Sequence, residues 1–502
     1  MVSDLHQLLH GFAVAISPVN ILAGFVGAFL GTIVGVLPGL GPTATMSLML
    51  PFTLMADPLT GLIMLAGVYL GAQYGGSTTS ILVNIPGEAA SVVTAIDGYQ
   101  MAKKGRAGAA LALVALGSWI AGTLGIIGLQ LVAAPLGKAA LAFGPPEYFA
   151  LMVFAFVVIA GLTGTSLLKG LLMAALGLWI ATIGIDPMGY GARFTFGLPG
   201  LLSGVDFLPM AMGLFGIAEI LTVASERYIP GVMEKIRLRD LYPRSDEVKR
   251  SIAPMFRGSL LGFFVGLLPG PSPTISTFLA YAFEKRLSKN PQEFGKGAVE
   301  GVVAPESANN AAATASLIPL LCLGLAFTAP SAVLLAGLRI HNIEPGPFLF
   351  REAPDLFWGF IASMYLANCI LLLLNLPFVG ILARLATVRP QVLMPIVSVL
   401  CLVGVYSVRN SIFDIWIMLV AGVLGFFLRK WGFPVAPLVI GLVLGGMAEN
   451  SYRQTCMMAQ GNLGFIFNRP IALALFLLAL VVIVVTSLRR QTSTSGELSE
   501  DA

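Results

Sequence analysis

Charge is what this chain has least of. Asp, Glu, Lys and Arg make up 11% of its 502 residues, and no charged residue stands between Asp4 and Asp57. Soluble domains carry roughly a quarter of charged residues, so a water-soluble globular fold is excluded. Histidine is almost as scarce, with only His6, His10 and His341. None lies beside a serine cluster, and no H-E-x-x-H pattern occurs, which argues against a zinc hydrolase. The four cysteines, Cys322, Cys369, Cys401 and Cys456, form no C-x-x-C pair and read as packing residues. The first residues include Asp4 but no Lys or Arg, so the first apolar segment lacks a signal peptide's basic start and is expected to be retained.

Apolar residues are abundant instead, at 57% of the chain with a mean hydropathy of +0.89. Uncharged windows such as 58–87, 107–137, 148–168 and 470–488 match the ~20 residues of helix that cross a bilayer. The expected class is an all-α polytopic membrane protein, with the lipid bilayer as its solvent. The net charge of +4, from 29 basic and 25 acidic residues, is gathered between apolar segments and forms no broad basic patch. Nothing points to nucleic acid.

The chain repeats itself. "LGTIVGVLPGLGPT" (30–43) returns as "LGFFVGLLPGPSPT" (261–274), identical at nine of fourteen positions. Weaker echoes pair "YGGSTTSILVNIP" (74–86) with "SANNAAATASLIP" (307–319), and "PMAMGLFGIAE" (209–219) with "PLVIGLVLGGMAE" (437–449). Two halves of about 230 residues follow.

Between them lies the most hydrophilic stretch, 226–257, with eight Lys or Arg against five Asp or Glu. The positive-inside rule places it in the cytoplasm, together with 101–106, 284–296, Arg384, Arg389, 429–430, Arg489 and Arg490, and puts charge-poor 55–61 outside. The segment after the first LPG element then ends outside and the one after the second ends inside. The expected architecture is therefore two inverted-topology repeats, each a Pro/Gly-broken helical hairpin followed by about five transmembrane helices, plus a C-terminal helix. The boundaries read as repeat one at 20–225, a cytoplasmic linker at 226–257, repeat two at 258–455, a last helix at 470–488 and a cytoplasmic tail at 489–502.

Pro38, Gly39, Gly41 and Pro42 must open the helix, since proline removes backbone donors and glycine relaxes φ. Irregular backbone survives at membrane depth only where it lines a cavity or is buried in protein. Thr43 is placed to cap a new helix whose N-terminus suits an anion. Pro269, Gly270, Ser272, Pro273 and Thr274 repeat the pattern, and paired breaks in two halves point to a midplane binding site. A structural kink is the plainer alternative for both.

Two polar clusters add to this. "GAQYGGSTTS" (71–80) with Asn84 brings Gln73, Ser77 and Thr78 into an otherwise lipid-compatible span, although Gly71, Gly75 and Gly76 could equally serve close helix packing. "APESANNAAATAS" (304–316) brings Glu306, Asn309 and Asn310. A carboxylate within a span usually faces a cavity, which singles out Glu306; Glu219 and Glu449 are weaker candidates because they could lie at the interface. With no Lys or Arg in these clusters, an anion would be held by helix dipoles, amides and hydroxyls, while carbonyls freed at the breaks could hold Na⁺. The rival readings are a channel or scaffold, for which charge rings or filter repeats are missing, and an intramembrane enzyme using Ser or Glu306.

"LPGLGPT", "YGGSTTSILVNIPGE", "DGYQMAKKGRAGAAL" and "LLPGPSPT" followed by "PESANNAA" together resemble the large membrane subunit of tripartite tricarboxylate transporters, the TctA family, over residues 20 to 485. The resemblance implies the translocation subunit of a secondary transporter in a bacterial inner membrane. It further implies a periplasmic solute-binding protein that delivers a citrate-like di- or tricarboxylate, a small membrane subunit, and coupling to a cation, Na⁺ first and H⁺ as the alternative. It carries the substrate site to Pro38, Gly39, Gly41, Thr43, Ser77, Thr78 and Asn84 in one half, and to Pro269, Gly270, Ser272, Thr274, Asn309 and Asn310 in the other. A cation site is expected near Gly39, Gly270, Asn309 and Asn310, and no catalytic residue or further cofactor is implied.

Overall fold

Uncharged apolar runs fold as helices because, away from water, each backbone N–H and C=O must find its partner within its own segment. The computed structural model describes residues 2–37, 41–162, 166–225, 238–378, 380–382 and 390–500, and the chain is all-α as expected. Among the described residues the strands are one short antiparallel pair, Gly184–Ile185 (β1) with Ala192–Arg193 (β2). The first half runs through Val2–Ala15 (α1), Pro18–Val36 (α2), Pro42–Thr53 (α3), Pro58–Val83 (α4), Val92–Lys103 (α5), Ala107–Ala140 (α6), Pro145–Leu162 (α7), Leu167–Ala181 (α8) and Phe207–Ser225 (α9). The second runs through Ser245–Gly266 (α10), Ser272–Leu287 (α11), Glu300–Ala315 (α12), Leu317–Leu323 (α13), Ala329–Ile340 (α14), Pro354–Asn375 (α15), Pro390–Arg409 (α16), Ile412–Lys430 (α17), Ala436–Ala459 (α18) and Pro470–Glu500 (α19).

Among the described residues six helices, α2, α6, α7, α9, α15 and α17, are long and apolar enough to cross a membrane. Helix α4 has the length, at 26 residues, but its Gln, Ser and Thr content lowers its hydropathy. It is a helix for the protein interior, buried almost without interruption from Thr60 to Ile81.

In lipid the apolar effect does not press helices together, so close van der Waals packing must. Helix α2 supplies it with Gly27, Gly31 and Gly35, whose absent side chains leave room for the backbones of Met64, Val68 and Ala72 in α4. Gly71 and Gly75 of α4 return the contact at Ala28 and Thr32, so those two glycines serve packing. Helix α10 meets α12 in the same way, Gly258, Gly262 and Gly266 lying on the backbones of Ala304, Ala308 and Ala312.

This contact register differs from the sequence echo. Gly27 and Gly258 stand 231 positions apart, like the two LPG prolines, whereas their partners Met64 and Ala304 stand 240 apart. By that register Tyr74 corresponds to Thr314 in the other half, and not to Ser307 as the aligned strings suggested.

Helix α6 works as a ruler between the ends of the molecule. At its start Arg106 clamps Glu247, near where the α10–α11 hairpin opens. Arg250 bonds Glu300 at 2.8 Å and Glu293 at 2.6 Å, and Lys104 Nζ donates to the Lys296 carbonyl at 2.6 Å. Helix α15 runs antiparallel to α6, Tyr365 meeting Gln130 and Asn368 meeting Thr123. Its first turn thus lies at the far end of α6, where Asp355 meets His10 of α1 at 3.2 Å, just ahead of the α2–α3 hairpin. The two hairpins open toward opposite ends of α6.

The hydrophilic stretch 226–257 was expected to be a loop throughout. From Ser245 onward it is helix α10, started by Glu247, whose carboxylate accepts the Arg244 backbone N–H at 2.6 Å.

Candidate functional site

Both LPG elements interrupt their helices. Helix α2 stops at Val36 and α3 starts at Pro42; α10 stops at Gly266 and α11 starts at Ser272. Pro38 and Gly39 lie outside the described residues. Gly270 has φ +122°, a backbone that only glycine takes up without strain, and its N–H bonds the Phe327 carbonyl at 3.2 Å.

Thr43 does not cap α3. The N-cap is Gly41, and Thr43 is the second helical residue, its carbonyl accepting the Ser47 hydroxyl at 2.8 Å. Neither Gly41 nor Pro271, the N-cap of α11, offers a side-chain acceptor. Pro42 and Pro273 carry no N–H and the Ser272 N–H bonds the Gly270 carbonyl at 2.7 Å, so the first-turn amides that remain to be matched are those of Thr43 and Ala44 in α3 and of Thr274 in α11.

A second pair of breaks faces the first. Asn84 ends α4 and Gly324 ends α13, both in the left-handed region with φ 58° and 71°. A new helical segment begins after each, behind Glu88 and Thr328. These turns and both LPG elements converge on one cavity of about 230 Å³. Its wall takes in Gly41 to Thr43, Glu88 to Ala90, Gly270, Thr274, Thr328 to Pro330 and the first residue of α18, Ala436. Tyr69 and Gln73 of α4 line it too, and Ile159, Phe327 and Ile440 give it an apolar side. Helix starts thus line this space from several sides, each carrying a partial positive charge of about half a unit. Among the described residues its lining contains no Lys or Arg.

The expected site residues divide into groups. Gly41, Thr43, Gly270 and Thr274 line the cavity. Asn309 reaches its edge, donating to Glu88 Oε1 at 3.1 Å. Asn310 turns away and donates to Ser118 Oγ at 2.9 Å and Glu306 Oε1 at 3.1 Å. Ser77, Thr78 and Ser272 are buried but are not among the lining residues, nor is Pro269. Asn84 is exposed and acts as the left-handed stop of its helix.

Glu306 is fully buried behind the wall, bonded by Thr94 at 3.0 Å. Glu219 and Glu449 are held by Arg429 and by Arg193 and Arg453. Gly76 has a local purpose, since a side chain there would strike Glu88. Sequence reasoning passed over Glu88, Tyr69 and Thr328. The signal available for Glu88 was its position directly after the Pro86–Gly87 turn, the only acidic residue between Asp57 and Asp97.

Fold and cavity define a class: a multi-pass helical membrane protein with a cavity lined by broken helices. The comparisons name the family. The family model described as the tripartite tricarboxylate transporter TctA family matches residues 21–440. An uncharacterised 52.8 kDa protein in the TAR-I ttuC′ 3′ region of Agrobacterium vitis is 45% identical over 488 residues, 97% of each chain. A second uncharacterised protein, in the TAR-II ttuC′ 3′ region of the same organism, is 40% identical over 227 residues, 45% of this chain and 94% of its own. No solved structure matches. The chain belongs to the TctA family, and is a component of tricarboxylate transport.

Proposed function

We propose that the chain is the translocating subunit of a binding-protein-dependent secondary transporter, importing citrate-like di- or tricarboxylates across a bacterial inner membrane by alternating access. The cavity carries this reading, because open first-turn amides of α3 and α11 face one space from opposite halves. Helix N-termini bind carboxylates without a paired cation, and broken helices in two halves are the usual seat of substrate in such carriers. Thr43 and Thr274 supply hydroxyls beside those amides. Import is coupled to a gradient of Na⁺ or H⁺, with carbonyls near Gly270 and the Asn309–Asn310 pair as the region for the cation. A periplasmic binding protein and a small membrane subunit complete the assembly, as the family's tripartite description implies.

The test is uptake of labelled citrate and a small panel of other carboxylates into cells producing this chain with its candidate partners, with and without a cation gradient. Gradient-dependent uptake that needs the binding protein, accelerated by unlabelled internal substrate, is expected. Thr43→Val with Thr274→Val should weaken apparent affinity about thirtyfold, as each of the two lost hydrogen bonds is worth about 1 kcal/mol. No uptake of any panel member with all three proteins present would sink the reading.

A further inference from the structure

One feature of the cavity does not suit an anion: its single lining carboxylate, Glu88. Capping does not explain it. The corresponding position in the other half is Thr328, each standing four residues beyond the left-handed residue that ends the preceding helix. Each is followed three positions later by a serine whose hydroxyl accepts its backbone N–H, Ser91 from Glu88 at 3.3 Å and Ser331 from Thr328 at 3.0 Å. Thr328 turns its own hydroxyl back onto that helix, accepting the Ser331 N–H at 3.2 Å. Glu88 reaches instead to the other half, where Asn309 donates to Oε1 at 3.1 Å. With the Gln73 amide nitrogen turned toward it, a second donor stands 3.0 Å from Oε2.

Two carboxylates sharing a site without a cation between them cannot both stay ionised. A substrate drawn in by the helix starts must meet Glu88 in its neutral form or be repelled by it. Both side chains beside Glu88 in the other half and on α4, Asn309 and Gln73, are amides that present an N–H to it. An amide also serves both charge states: it donates to the carboxylate, and turned over it accepts from the carboxylic acid.

Other titratable groups on the neighbouring elements are accounted for. On α4, Tyr69 faces the cavity and Tyr74 bonds Asn368. On α5, Asp97 holds the Gly297 and Ala298 amides and Tyr281 of α11, and Lys103 lies over Tyr99. Glu284 of α11 pairs with Arg257, and Glu300 of α12 with Arg250. Lys285 and Arg286 sit in the exposed last turn of α11. That leaves Glu306 of α12 as the one other carboxylate acting on Glu88.

Resting on the carrier reading above, we propose that Glu88 is where one proton enters with each carboxylate. A proton from the bulk binds a Glu88 oxygen, the substrate anion occupies the neutralised cavity, and both leave on the other side.

Calorimetry decides this on the purified full-length protein, titrating citrate and other carboxylates above their last ionisation, in buffers of different ionisation enthalpy, with and without Na⁺. Expected is uptake of about one proton per anion bound, with affinity falling about tenfold per pH unit above the point where free Glu88 ionises. Glu88→Gln should bind without proton uptake and with a flat pH profile. Binding by the natural protein without proton uptake, or needing Na⁺ instead, overturns the proposal and leaves the carrier reading intact. So does proton uptake that survives Glu88→Gln and vanishes in Glu306→Gln. If Glu88→Gln does not fold, the natural protein still decides, through its proton count and the gain of an infrared protonated-carboxyl band on binding. Binding of no panel member overturns the carrier reading, and the proton site with it.

Discussion

Tyr74 of α4 donates its hydroxyl to Asn368 Oδ1 of α15 at 2.7 Å, a buried bond across 294 positions of sequence. The Asn368 amide nitrogen is in turn committed to the Trp119 carbonyl at 2.8 Å and Thr123 Oγ1 at 3.1 Å, so its oxygen has no freedom to look elsewhere. Tyr74→Phe should cost about 1–2 kcal/mol by stranding that acceptor. Thermal unfolding in detergent reads this as a lowered midpoint, and Tyr74→Phe with Asn368→Leu should lose less than the two single variants together. An unchanged midpoint for Tyr74→Phe would show that the bond carries nothing.

Two glycines close in sequence should respond in opposite ways. A side chain at Gly31 collides with the Val68 backbone, whereas one at Gly41 meets none of the described residues within 4 Å, and φ −74° at Gly41 suits any residue. Gly31→Val is expected to abolish monodisperse protein in size-exclusion chromatography. Gly41→Ala should fold normally and affect only ligand affinity. Equal behaviour of the two would contradict the packing described for α2 and α4.

Outside the spans, Asp186 in the β1–β2 turn is gripped by Arg453 through two bonds, at 3.0 and 2.9 Å. The guanidinium, helped by the Met188 amide, holds the Asp186 carboxyl well below the usual carboxylate range. A carboxyl depressed in the folded state contributes stability above its unfolded value, about 3.9, and loses it as pH falls toward the folded value. Protection of residues 184–193 against hydrogen exchange, taken relative to the intrinsic rate at each pH, should therefore be steady near neutrality and fall below about pH 4. Arg453→Met should give fast exchange already at neutral pH. A turn equally protected in both proteins across that range would remove Arg453 from the account.

The same contrast between local and distant signals governs how much could be read in advance. Composition and periodic charge gaps gave the helical membrane class, and the Pro and Gly content of 38–42 and 269–273 located the breaks, because those residues act on their own backbone. Thr43 and Thr274 were named because they follow those breaks, and Asn309 because it is polar in an apolar span; all three stand at or beside the cavity. Glu88 was passed over because its partner Asn309 lies 221 positions away in sequence. The strings 74–86 and 307–319 look alike, yet the helices pack with a different offset, so similarity matched Tyr74 to Ser307 where the packing register matches it to Thr314. Gly71 and Gly75 were ambiguous until the Ala28 and Thr32 backbones were seen against them.

Those backbone contacts also constrain how the molecule can move. Helices α2 and α4 touch main chain to main chain at three successive turns, as do α10 and α12. Interlocked surfaces of that kind have almost no tolerance for sliding or rolling, since a fraction of a turn brings a side chain where only hydrogen fits. Each pair is therefore a stiff lever. Under the carrier reading proposed above, displacement that opens the cavity to one side would be taken up outside these pairs, at side-chain contacts such as Asn309–Glu88 and Tyr74–Asn368.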